Sequence, residues 1–182
     1  MRTTWSVLAL LLALGLLSLG CSGATPQDDD DDDAGDDDTA TTDLVINELC
    51  PDNDNVIADE LKEYDDWVEL ANLSGSDFDL EGYGITDGFG EKEPFVFAAG
   101  VTVPANGYLL VWCDDESGTT DLHADFKLSA DGEEVTLVGP AELVVDQVTF
   151  PTMATDVSYA RDPDGTGSFV VDKTPTPEAS ND

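Results

Sequence analysis

Positive charge is nearly missing from this 182-residue chain: six lysines and arginines stand against 41 aspartates and glutamates, a formal net charge of −35. Affinity for nucleic acid comes largely from basic groups that displace counterions from phosphate, so no nucleic-acid partner is expected. Histidine is scarcer still, since His123 is the only one. No G-x-S-x-G elbow accompanies it, which leaves a Ser-His-Asp hydrolase without its nucleophile. Long apolar repeats at helical spacing are also lacking, apart from a short turn expected in "VIADELKEY" (56–64). The leucine-dense run from Trp5 to Gly20 falls short of the roughly 20 apolar residues that a membrane-crossing helix needs.

That run instead has the three parts of an export signal: Arg2, an apolar core, and small residues before Cys21. "LSLGC" resembles the lipobox of bacterial lipoproteins, with Ser18 where an aliphatic residue is usual. The resemblance implies cleavage before Cys21 and lipidation of its thiol. Each buried CH₂ of an acyl chain contributes about 0.8 kcal/mol, so two or more chains hold a protein at a membrane without a spanning helix. Ser22 after the cysteine fits an outer-membrane or cell-surface address. Residues 22–43 hold ten aspartates and no aromatic or large aliphatic side chain. Nothing in such a segment offsets the entropy of ordering, so it reads as a disordered, self-repelling linker. The expected division is a signal at 1–20, a lipidated acidic linker at 21–43, a folded domain at 44–174 and a polar tail at 175–182.

From Leu44 onward the pattern becomes short apolar or alternating runs separated by "SGSD", "DGFG", "PANG", "SADGEE" and "DPDGTG". Strands are expected at 44–49, 66–72, 78–86, 94–97, 108–113, 124–128, 133–139, 143–150, 157–161 and 168–172. Many short strands with turn signals between them define an all-β sandwich. In "DWVELAN" the alternation puts Trp67, Glu69 and Ala71 on one face and Val68, Leu70 and Asn72 on the other. "YLLVW" is apolar on both faces, as in a central strand covered on both sides.

With Cys21 lipidated, Cys50 and Cys113 are left as an even pair in an oxidising compartment. Each ends an apolar strand, so a disulfide across one sandwich edge is expected, worth roughly 4 kcal/mol in the chain-entropy picture. Two separate buried thiols are the alternative. Oxygen donors crowd "PDNDN", "DDESGTTD" and "DPDGTG", which makes Asp52, Asp54, Asp114, Asp115, Asp162 and Asp164 weak candidates for a structural Ca²⁺. None completes an EF-hand loop, and the same residues serve ordinary turns. The pairs Asp65/Asp66 and Glu133/Glu134 could be offered as a glycosidase acid and base, but strand entry and solvent-facing positions explain them more simply. Arg161, one of few cations, is expected to hold a carboxylate of a neighbouring strand. Trp67 and Trp112 read as core residues.

"LVINEL", "YDDWVELAN", "DLEGYGITD", "VPANGYLLVW", "LHADFKLSADGEEVTL", "VDQVTF", "DVSYARDPDGTGSF" and "TPTPEASN" follow one another in this order. Together they resemble the bacterial lamin-tail domain. The resemblance implies an immunoglobulin-like β-sandwich, a structural place for His123, and an exported module for surface attachment or for binding an envelope or extracellular protein. It carries no catalytic residues. Cys50 and Cys113 depart from it, and the charge sets aside the chromatin association of the nuclear relatives. A calcium- or envelope-carbohydrate-binding module is the alternative function, and a hydrolase a more distant one.

Overall fold

The computed structural model describes residues 43–115 and 122–182. The export signal, Cys21 and the linker up to residue 42 lie outside the described residues, as do residues 116–121 of "DDESGTTD". Among the described residues, no helix is long and apolar enough to cross a membrane.

Twelve strands form in chain order: β1 Leu44–Cys50, β2 Asp66–Asn72, β3 Phe78–Asp79, β4 Gly84–Thr86, β5 Phe95–Val96, β6 Thr102–Val103, β7 Tyr108–Cys113, β8 His123–Ala124, β9 Glu134–Gly139, β10 Leu143–Thr149, β11 Ser158–Asp162 and β12 Ser168–Asp172. A six-stranded sheet in the order β12-β11-β1-β2-β7-β8 faces a four-stranded sheet in the order β10-β9-β4-β5, with β3 and β6 as a separate pair. Apolar residues of β1, β2 and β7 (Leu44, Ile46, Leu49, Val68, Leu70, Val111) meet Ile85, Val135, Leu137 and Val148 between the two sheets. This is the sandwich expected from the strand pattern, with the immunoglobulin-like form that the resemblance implied.

Strand parity decides where each side chain goes. Along β7, Leu109, Val111 and Cys113 join the inter-sheet core, whereas Leu110 and Trp112 join a second cluster with Cys50 and Trp67. That second cluster lies on the outer face of the six-stranded sheet, where Val56 and Ile57 of the 51–65 loop pack on it. In β1, Ile46 and Leu49 both point inward although three residues apart. A bulge makes this possible: Ile46 pairs with Leu70 and Glu48 with Glu69, so Asn47 is the extra residue. In the "SADGEE" turn, Gly132 has φ +96° and a Cβ there would lie 2.7 Å from the Phe150 carbonyl oxygen, so only glycine fits.

The expected disulfide is absent, since Cys50 and Cys113 are both free and buried. Cys50 is opposite Trp67 on one side of β2, and Cys113 is opposite Asp66 on the other. Two strand spacings separate them by roughly 9.5 Å, and they face opposite sides of the sheet, whereas a disulfide needs Cα atoms within about 7 Å. Sequence position set both at strand ends, but neither the intervening strand nor the parity is visible without pairing. Burial pushes the Cys50 thiol up to about 12.

Arg161 holds Asp146, as a cation of β11 reaching across to β10 of the other sheet. Its Nη2 donates to both Asp146 carboxylate oxygens, at 3.1 and 2.8 Å. The pair also completes a strand edge. Arg161 Nε donates to the Ile46 carbonyl at 2.8 Å, and the Ile46 N–H donates to Asp146 Oδ2 at 2.8 Å. The two side chains thus take the place of a backbone partner where β11 no longer runs beside β1.

Candidate functional site

The loop between β1 and β2 is organised by one buried amide. Asn53 Nδ2 donates to the Ile57 and Asp65 carbonyls at 2.7 and 2.8 Å, and its Oδ1 accepts the Val56 N–H at 3.0 Å. Farther along, Asp59 makes a tight turn in which its Oδ1 accepts the Glu63 N–H at 2.7 Å and its own N–H donates to the Glu63 carbonyl at 3.0 Å. No helix forms in "VIADELKEY"; a turn at residues 60–62 stands in its place.

This turn sets Asp59 and Glu60 against His123 of β8. The side chains of Asp59 and His123 are wholly buried, and that of Glu60 is half-exposed. His123 Nδ1 is hydrogen-bonded to Asp114. Its Nε2 faces Glu60 Oε1 at 3.2 Å and Asp59 Oδ2 at 3.9 Å. The donor atoms of Asp59, Glu60 and His123 lie within 4.8 Å of one another, as do those of Asp59, Glu63 and Asp65. Burial pulls the His123 pKa down, but the hydrogen bond to Asp114 and the charges of Asp114 and Glu60 outweigh it and leave it raised. Burial, together with the charges of Asp114, Asp59 and Glu63, raises that of Asp65. Beside the cluster a shallow groove of about 360 Å³ runs over Leu110, Trp112, Leu122 and Ile57.

A second polar cluster lies on the same outer face. Glu48 and Glu69 stand directly opposite each other on β1 and β2, and both side chains are buried. Burial raises Glu69 to about 8, and hydrogen bonds from Asn47 and the Glu178 N–H only partly offset it. Burial likewise raises Glu48. Asn47 Nδ2 bridges Glu69 Oε1 and Asp164 Oδ1, at 2.9 and 3.0 Å, and the Tyr108 hydroxyl donates to Asp164 Oδ2 at 2.7 Å. The segment after Thr174, expected as a polar tail beyond the folded domain, closes over this cluster. The N–H groups of Thr176 and Glu178 donate to Glu48 and Glu69 at 3.2 and 2.6 Å, and Asn181 Nδ2 donates to the carbonyls of Asn47 and Arg161.

The six aspartates expected as metal candidates do not converge. Asp52 accepts the Thr155 hydroxyl, the Asp54 N–H donates to Asp156, and Asp164 is occupied by Asn47 and Tyr108. Asp115 and Asp162 are exposed. Asp114 alone reaches the histidine cluster, through His123. The carboxylates that do gather, Asp59 and Glu60, come from "VIADELKEY". Their only signal in the sequence was an acidic stretch close to strands, which many segments of this chain share. The offered glycosidase pairs are also dispersed: Glu133 accepts the Ser129 N–H, Glu134 the Thr149 hydroxyl and Asp66 the Leu128 N–H. Among the described residues no hydroxyl faces His123 Nε2, so the His–Asp pair lacks the third member of a triad.

The two facing sheets define an immunoglobulin-like β-sandwich domain. The family-level comparison matches residues 37–152 to the Lamin Tail Domain, and the chain belongs to that family. No curated protein matches the chain.

Proposed function

We propose that this chain is an exported lipoprotein, held at the cell envelope through acylated Cys21, which presents its Lamin Tail Domain as a non-catalytic module for surface attachment or protein interaction. The observation that carries this reading is the junction "LSLGCSGATPQDDDDDD" at residues 17–33, where an export signal meets a lipidation cysteine and an acidic spacer. Fully extended, the linker spans at most roughly 70–80 Å at about 3.3–3.6 Å per residue, enough to hold a domain off a membrane. Repulsion among the aspartates favours such extension. The non-catalytic part is supported by the surroundings of His123 Nε2, which faces carboxylates rather than a nucleophile.

The test is Cys21→Ala expressed in a bacterial host and followed through membrane fractionation. Loss of the protein from the membrane pellet into the soluble fraction is expected. Equal membrane association of variant and parent overturns the anchor.

A further inference from the structure

Asp59 Oδ2 is buried and has no hydrogen-bond partner. A desolvated carboxylate oxygen left without a donor is costly, and such groups are paired, hydrogen-bonded or bound to a metal. Its sister oxygen is taken by the Glu63 N–H, so the carboxylate is held with the bare oxygen aimed at His123. Protonating His123 does not satisfy it, because Nε2 is 3.9 Å away and nearer to Glu60. In the neutral imidazole, donation from Nδ1–H to Asp114 leaves the lone pair on Nε2, the form in which the ring ligates a metal. That lone pair then faces two carboxylate oxygens, an arrangement that a cation between them converts from repulsion to coordination.

The spacing suits a small ion. Ligands at about 2.0–2.2 Å around a tetrahedral centre stand roughly 3.3 Å apart, and the distances from Nε2 to Glu60 Oε1 and Asp59 Oδ2 are 3.2 and 3.9 Å. The chemistry of the donors selects the ion. Calcium and magnesium take oxygen ligands, whereas imidazole with carboxylates suits the borderline first-row dications. A carboxylate on the far nitrogen of a ligating histidine is the usual support of such a centre. The half-exposed Glu60 leaves the remaining coordination positions open to water.

We propose that Asp59 Oδ2, Glu60 Oε1 and His123 Nε2 form a binding site for one divalent first-row transition cation of the zinc type, with Asp114 orienting the histidine. Cation binding at these residues does not depend on the lipid anchor. The site's three ligands are not among the turn aspartates expected as calcium candidates, of which Asp114 alone takes part, by orienting His123.

Because His123 is the only histidine, its imidazole nitrogens report this site free of interference from the aspartate-rich linker. The full-length protein, stripped with chelator, is titrated with zinc sulfate and followed by ¹⁵N NMR of the imidazole. The Nε2 resonance is expected to shift and saturate at one equivalent, while calcium at the same concentration leaves it unmoved. Asp59→Asn and the half-exposed Glu60→Gln are each expected to weaken zinc binding at least about tenfold, and Asp114→Asn about 10–100-fold. Circular dichroism of Glu60→Gln, expected to match the parent, separates loss of a ligand from loss of fold. An Nε2 resonance that excess zinc does not move overturns the site. So does unchanged affinity in a folded Glu60→Gln variant.

Discussion

At the scale of single residues, Glu69 shows how burial and chemistry oppose each other in this domain. Its carboxyl titrates near 8, because burial disfavours the charged form more than its hydrogen bonds favour it. A carboxyl raised in the fold contributes stability that is fully present below its unfolded pKa, near 4.5, and is lost as pH rises through about 8. Glu69→Gln keeps the shape and removes the ionisation. The variant is expected to be more stable than the parent at pH 8–9, of the order of a few kcal/mol, with the difference vanishing near pH 4. Thermal melts of both proteins across that range check it, and a constant difference at all pH values refutes it. The strand alternation placed Glu69 on the face of Trp67 and Ala71, and that was legible in the sequence. That this face is covered was not legible, since period-two patterning separates two faces without saying what lies over either. The same gap hid the fate of Cys50 and Cys113, whose parity and intervening strand emerge only from pairing.

At the scale of elements, the last eight residues act as a strap. Their N–H groups supply donors to Glu48 and Glu69, and Asn181 closes onto carbonyls of β1 and β11. Each hydrogen bond to a protonated carboxyl contributes about 0.5–1.5 kcal/mol net, whereas with an ionised one the gain is set against the return of a buried carboxylate to water. Deleting residues 175–182 is therefore expected to lower the melting temperature most at pH 5, where Glu69 is protonated in the intact domain and resolvation gains little. At pH 9 the loss is expected to be smaller, because the freed carboxylates then recover their hydration. A truncated chain as stable as the full one at pH 5 refutes the strap. The elements themselves were largely legible: β2, β7 and β12 occupy the residues that alternation and turn chemistry indicate. The expected strand at 78–86 is broken because the Tyr83 N–H turns back to the Leu80 carbonyl. The two-residue β6 is too short for any period to show. "VIADELKEY" carries helical spacing, yet Asn53 and Asp59 bind its backbone into turns, a competition that local propensity does not register.

At the scale of the whole molecule, charge repulsion is the opposing term that no local contact removes. From Leu44 onward, 31 acidic residues face five basic ones, and the described ion pairs of lysine and arginine are Lys92–Asp87 and Arg161–Asp146. Net charge of this size keeps a chain soluble but destabilises the compact state through self-repulsion. Between about 0.01 M and 0.1 M salt the screening length falls from roughly 30 Å to 10 Å, from the scale of the whole domain to that of near neighbours. The melting temperature at pH 7.5 is therefore expected to rise by a few degrees over that interval, equally with sodium and potassium chloride. Because monovalent screening is nonspecific, Asp59→Asn and Glu60→Gln should keep the same rise while losing the response to zinc. A melting temperature that is flat or falls with salt would mean that the few ion pairs outweigh the repulsion. The joint pattern, a salt response common to all variants and a zinc response confined to those with the Asp59, Glu60 and His123 donors intact, separates a diffuse field from a built site in one set of melts.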